Sequence, residues 1–99
     1  MILNVDEVTL VDEDIPLEWY TAAVAARVLG CDIETSGLDK KKDKIATIQM
    51  FVPQKGTIMV RGLQQPRRIL SLLENAQITK IFHHAPFDLG FIMRDYLIE

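Results

Sequence analysis

The chain has a single cysteine, Cys31, so no internal disulfide can form, which fits a reducing compartment. No apolar run is long enough to cross a bilayer as a helix. An arginine-rich or signal-like opening is also missing: residues 1–14 are acidic, and the expected compartment is the cytoplasm. No linker, internal repeat or biased segment divides the 99 residues, a length that accommodates one domain at most. Positive charge is in deficit, with a formal net charge of −3, so composition does not advertise nucleic-acid binding. It does not exclude it, because bound metal ions add positive charge that a sequence sum omits. What is present is 48% hydrophobic and 25% charged residues, the balance of a soluble folded domain, which argues against disorder.

Periodicity and punctuation predict a mixed α and β order. Val8 to Val11 is a short edge strand, and Pro16 opens a helix over Leu17 to Val28, with Asp12, Glu13 and Asp14 suited to its positive N-terminal end. Leu29 to Glu34 is an apolar strand that ends at the turn residues Thr35, Ser36 and Gly37. Asp39 to Lys44 is a charged connection, Ile45 to Val52 a strand, Pro53 to Gly56 a turn, and Thr57 to Val60 a strand. A helix from Pro66 to about Asn75, a strand over Ile78 to His83 and a last helix over Ala85 to Leu97 complete the order. The expected fold class is α/β or α+β: an antiparallel meander extended by one parallel strand through a helical crossover, with helices packed on the sheet.

Within the first central strand the segment Gly-Cys-Asp-Ile-Glu-Thr-Ser-Gly-Leu-Asp, residues 30–39, places two carboxylates one residue apart at the strand's end. Alternate side chains of a strand share a face, so Asp32 and Glu34 point one way and Cys31 and Ile33 the other. Two like charges there repel, and burial would penalise both, so either they end in solvent or a cation sits beside them. Carboxylate oxygens on one face form half of a site for a hard divalent ion. Asp88 follows at a strand-to-helix junction, in His-His-Ala-Pro-Phe-Asp-Leu, residues 83–89, where the helix macrodipole alone would also favour an acid.

Taken together, D-I-E-T-S-G-L and H-x-A-x-F-D-L resemble the first two motifs of the DEDD superfamily of 3′-5′ exonucleases. The strand segment K-I-A-T-I-Q-M, Lys44 to Met50, is similar to the ribonuclease D-like branch. The resemblance covers the chain from Leu29 onward and implies a ribonuclease H-like fold. It also implies that Asp32, Glu34 and Asp88 are catalytic metal ligands converging on two Mg²⁺ or Mn²⁺ ions about 4 Å apart, which activate water and stabilise the leaving oxygen. Thr35, by hydrogen bond, and Leu38, as an apolar wedge, fall where the family grips the 3′-terminal nucleotide. His84 stands where the family usually has Asn, and its imidazole can donate or accept a hydrogen bond there. The implied substrate is the 3′ end of single-stranded RNA or DNA.

Other candidates are weaker. His83 and His84 are adjacent on a strand and point to opposite faces, so they share no metal. Lys40 to Lys42 and Arg67 with Arg68 read as solvated charges, and Cys31, on the buried side of its strand, as a structural thiol. The family's third motif, a Tyr or His followed four residues later by Asp, is not found: Tyr96 has no such acid. Asp95 sits about 10 Å along a helix from Asp88, too far to share the ions. Residues 1–99 are therefore expected to be a single partial exonuclease domain, a truncation, a fragment or one partner of a split protein. Phe87, Phe91, Ile92 and Leu97 are then expected to form an apolar patch that self-associates or meets a second chain. Three function classes follow: an exonuclease completed from elsewhere, a non-catalytic remnant acting as an interaction or self-associating module, and an unrelated metal-binding α/β domain.

Overall fold

The computed structural model describes residues 8–37, 39, 43–82, 88 and 90–92. Its elements are β1 (Thr9–Asp12), α1 (Leu17–Ala26), β2 (Val28–Thr35), β3 (Ile45–Val52), β4 (Gly56–Arg61), α2 (Arg67–Glu74) and β5 (Thr79–Phe82), and helical backbone returns at residues 88 and 90–92. The five strands form one sheet in the order β1-β4-β3-β2-β5. The meander β2-β3-β4 is antiparallel, β5 joins β2 in parallel after the α2 crossover, and β1 joins β4 in parallel. The mixed sheet with flanking helices is the α/β class that the sequence predicts. The partner and direction of β1 carry no local signal, because only the third dimension brings residue 9 beside residue 58.

The strands form where β-branched and apolar residues alternate between two environments. Leu29, Cys31 and Ile33 of β2, Ile48, Met50 and Val52 of β3, and Ile58 and Val60 of β4 share one face and are buried. Trp19 and Ala23 of α1 and Ile69 and Leu72 of α2 cover them, with Ile15 and Ile78 closing the edges. The turn between β3 and β4 needs backbone at positive φ, met by Gln54 at 67° and by Gly56 at 122°, where a side chain would be strained.

Two helix ends depart from expectation. α1 stops at Ala26 because Arg27 takes a left-handed conformation, φ 61°, with its N–H donating to the Ala23 carbonyl at 3.1 Å. Val28 is thereby released into β2, and the Arg27 carbonyl accepts from the Thr79 N–H at 2.9 Å. The acids before Pro16 serve elsewhere than α1. Asp12 pairs with Arg61 at 2.8 Å, and Asp14 caps α2 from 54 residues away. Asp14 Oδ2 accepts the Arg68 N–H at 2.8 Å, and its Oδ1 accepts the N–H groups of Ile69 at 3.2 Å and Ile15 at 2.8 Å. Those donors of α2 have no intrahelical partner, so one carboxylate satisfies them and ties the β1–α1 connection to the second helix.

The expected apolar patch is corrected in the same way. Phe91 and Ile92 are fully buried and join the core cluster instead of lying on the surface. Phe87 and Leu97 lie outside the described residues. The exposed large apolar side chains among the described residues are Leu10, Leu17, Val24 and Ile81, with Ile81, on the edge strand β5, 60% exposed.

Candidate active site

Strand β2 sets the geometry of the candidate site. Its burial alternates from Leu29 to Glu34, and Asp32 and Glu34 are exposed on the face opposite Leu29, Cys31 and Ile33. The register pairs Asp32 with Gln49 and Glu34 with Thr47, and then shifts so that Thr35 pairs with Ile45, leaving Ala46 as an extra residue. That bulge falls just past the acids, at the sheet margin where bulges commonly redirect a strand. Asp32 accepts the Ile33 N–H through Oδ1 at 3.0 Å, and Glu34 accepts from the Gln49 amide through Oε1 at 3.3 Å. Across from Glu34 the Thr47 hydroxyl is buried and makes no hydrogen bond among the described residues.

The connection after β2 is tied down by Asp43, a residue that sequence reading leaves as one charge among several. Its carboxylate accepts the Ser36 hydroxyl at 3.1 Å and the Asp39 N–H at 2.9 Å, while its own N–H donates to the Asp39 carbonyl at 2.8 Å. Ser36 and Lys44 close the two ends, the Ser36 N–H donating to the Lys44 carbonyl at 2.9 Å and the Lys44 N–H to the Ser36 hydroxyl at 3.1 Å. Gly37 is required in this arrangement, since a methyl group there would collide with the Asp43 carboxylate. The Thr35 hydroxyl, expected to meet substrate, donates to the Gly37 carbonyl and so supports the turn. The signal available in sequence was the Ser-Gly…Asp spacing, a side-chain-to-backbone turn pattern.

Asp88 is 1% exposed, one helical turn ahead of the core residues Phe91 and Ile92. Its charge and that of Asp32 both bear on the Cys31 thiol. Burial is the larger cause, and with the two acids it pushes the thiol up to about 12, so Cys31 is no nucleophile at neutral pH. The structure thus brings Asp32 and Glu34 together on one open face, with Asp88 buried alongside the core. Among the described residues no three His, Cys, Asp or Glu side chains gather closely enough to hold an ion. Leu38 and His84 lie outside the described residues, as do His83 and Lys40 to Lys42. The Asp32 and Glu34 pair fits a hard divalent cation in donor type, charge and access, and the orphaned Thr47 hydroxyl adds an oxygen on the same face.

The family model for 3′-5′ exonucleases matches residues 8–99. The chain belongs to the 3′-5′ exonuclease family. No curated protein sequence matches it. Among solved structures, one described as the apo form of the nuclease superposes with a TM-score of 0.83 at 21% identity, covering 92% of this chain and 44% of that one. Brucella melitensis NrnC gives 0.78 at 25% identity, covering 90% and 44%, and Escherichia coli RNase D gives 0.73 at 18% identity, covering 97% and 25%. NrnC has also been solved with bound Mg²⁺ and with pGG. The chain therefore spans less than half the length of each of these three structures, while the ribonuclease H-like exonuclease fold covers nearly all of it.

Proposed function

We propose that this chain supplies the first part of a 3′-5′ exonuclease active site of the ribonuclease D-like kind, acting on the 3′ ends of single-stranded RNA, DNA or short oligonucleotides. The observation that carries the reading is the alternation of β2. Asp32 and Glu34 stand together in solvent at the end of a strand whose alternate side chains, Leu29, Cys31 and Ile33, are packed in the core, within a family match over residues 8–99. In a protein that had no use for them, two adjacent like charges on the sheet would be a cost with no return. Asp32 and Glu34 would hold Mg²⁺ or Mn²⁺, with Asp88 as a third ligand once the site is assembled. Such ions supply a hydroxide at neutral pH and stabilise the departing oxyanion.

The chain's own residues then bind and orient. The turn held by Asp43 carries Thr35 into the margin of the site, and the buried underside of β2 fixes the spacing of the acids. The relative solved with pGG supports an oligonucleotide as substrate, and the same relative solved with bound Mg²⁺ supports the ions. A cytoplasmic location is proposed with the same reading.

The test is degradation of a 5′-labelled single-stranded oligonucleotide with Mn²⁺, by this chain alone and by a longer chain that also carries the third motif. The longer chain is expected to produce a ladder of shortened products that Asp32→Ala abolishes, and the 99-residue chain to fall at least about 100-fold short of it for want of the general base. A ladder that persists in Asp32→Ala overturns the reading. Exposed Ile81 on β5 favours a second reading, that the open face is an interaction surface for another polypeptide or a second copy. Sedimentation of the 99-residue chain as a monomer, together with the ladder, would remove that alternative.

A further inference from the structure

The amide of Gln49 is the donor that β3 gives to Glu34, at 3.3 Å from its Oε1. Gln49 sits directly opposite Asp32 and diagonal to Glu34, within the reach of a long side chain on the same face. Its other cross-strand neighbour is Met59 of β4, which offers the amide no strong partner. Thr47, the residue directly opposite Glu34, keeps its hydroxyl without a hydrogen bond among the described residues. Of the polar side chains that β3 turns toward the acids, Gln49 reaches one oxygen of Glu34.

The choice of residue has a chemical logic. A Lys or Arg at position 49 would grip the carboxylate more strongly, but its charge would occupy the place of a cation and repel one. A Leu or Val would suit the strand and leave Glu34 free to rotate. A neutral amide fixes one oxygen and leaves the full negative charge and the second oxygen available, which is how outer partners orient carboxylates at metal centres. Resting on the exonuclease reading above, we propose that Gln49 is a positioning residue for Glu34, presetting the carboxylate for a divalent cation shared with Asp32.

The experiment titrates Mn²⁺ into the 99-residue chain and reads free Mn²⁺ by its paramagnetic resonance signal, for the wild type, Gln49→Met and Glu34→Gln, with the melting temperature of each recorded without metal. Gln49→Met keeps side-chain length and removes the donor. The expected result is about tenfold weaker Mn²⁺ binding at an unchanged metal-free melting temperature. Wild-type affinity in Gln49→Met, with binding lost in Glu34→Gln, overturns the role of Gln49 and leaves the exonuclease reading standing. A fall in metal-free melting temperature that accompanies the lost affinity makes Gln49 a structural residue and overturns the proposal as well. Binding that survives Glu34→Gln removes Glu34 as a ligand and this proposal with it, and a wild-type chain that binds no Mn²⁺ overturns the presetting of Glu34, while the oligonucleotide ladder decides the parent reading.

Discussion

Leu29, Cys31 and Ile33 on one face of β2 lie under two helices, whereas Asp32 and Glu34, interleaved with them, stand in solvent on the other. The same eight-residue strand therefore serves two purposes. The covered face provides hydrophobic burial and rigidity, and the open face holds charge that the strand could not tolerate inside. Neighbouring strands repeat the division: Ile48 and Met50 of β3 face the core while Thr47 and Gln49 accompany the acids. Stability and function are separated by a single residue along the chain, so they should respond separately to substitution.

The largest test of that separation is a cavity on the covered face. Leu29→Ala removes three carbons from a fully buried site and should cost about 3 kcal/mol, read from urea unfolding. A loss below about 1 kcal/mol would mean that the covered face is not the stabilising one. The next test uses Cys31, whose thiol is pushed up to about 12 by burial first and by Asp88 and Asp32 second. The folded state holds this proton more tightly than the unfolded chain does. Stability should therefore be intact at neutral pH and fall as pH rises from about 9 toward 12, by at most about 1.4 kcal/mol per pH unit. Unfolding curves of Cys31→Ala should show a shallower alkaline decline than the wild type, and equal slopes would place the thiol in a less buried setting. The smallest effect belongs to the open face. Replacing Asp32 and Glu34 together by Ala should change metal-free stability by no more than about 0.5 kcal/mol, because exposed residues away from packing seldom matter more. The double variant should also lose any rise in melting temperature that Mn²⁺ gives the wild type, since only a ligand bound to the native state stabilises it.

The alternation that separates the two faces was legible in residues 28–35, and so were β3, the turn at Pro53–Gly56 and the crossover through α2, because each rests on patterns a few residues long. The pair Asp32 and Glu34 was legible for the same reason: period-two geometry alone puts both on one face. The resemblance to the exonuclease motifs was carried by short strings, and the family match bears it out. Asp14 shows the opposite case. Its proximity to Pro16 suited it to the positive N-terminal end of α1, yet its carboxylate holds the N-terminus of α2, since a donor's nearest acceptor is chosen in space and not along the chain. Asp43 was likewise one acid in a charged connection until the turn closed around it.

By itself the sequence determined the order of the elements, the identity of the buried stripe and the pair of carboxylates on β2, because backbone periodicity and side-chain polarity act locally. Only the tertiary structure decided that β1 runs parallel to β4 at the far edge, that Phe91 and Ile92 enter the core instead of forming a surface patch, and that Gln49 of β3 reaches Glu34. Those three outcomes join residues far apart in the chain. Strand pairing and burial are settled by which distant surfaces can exclude water together, a competition that no local stretch of residues records.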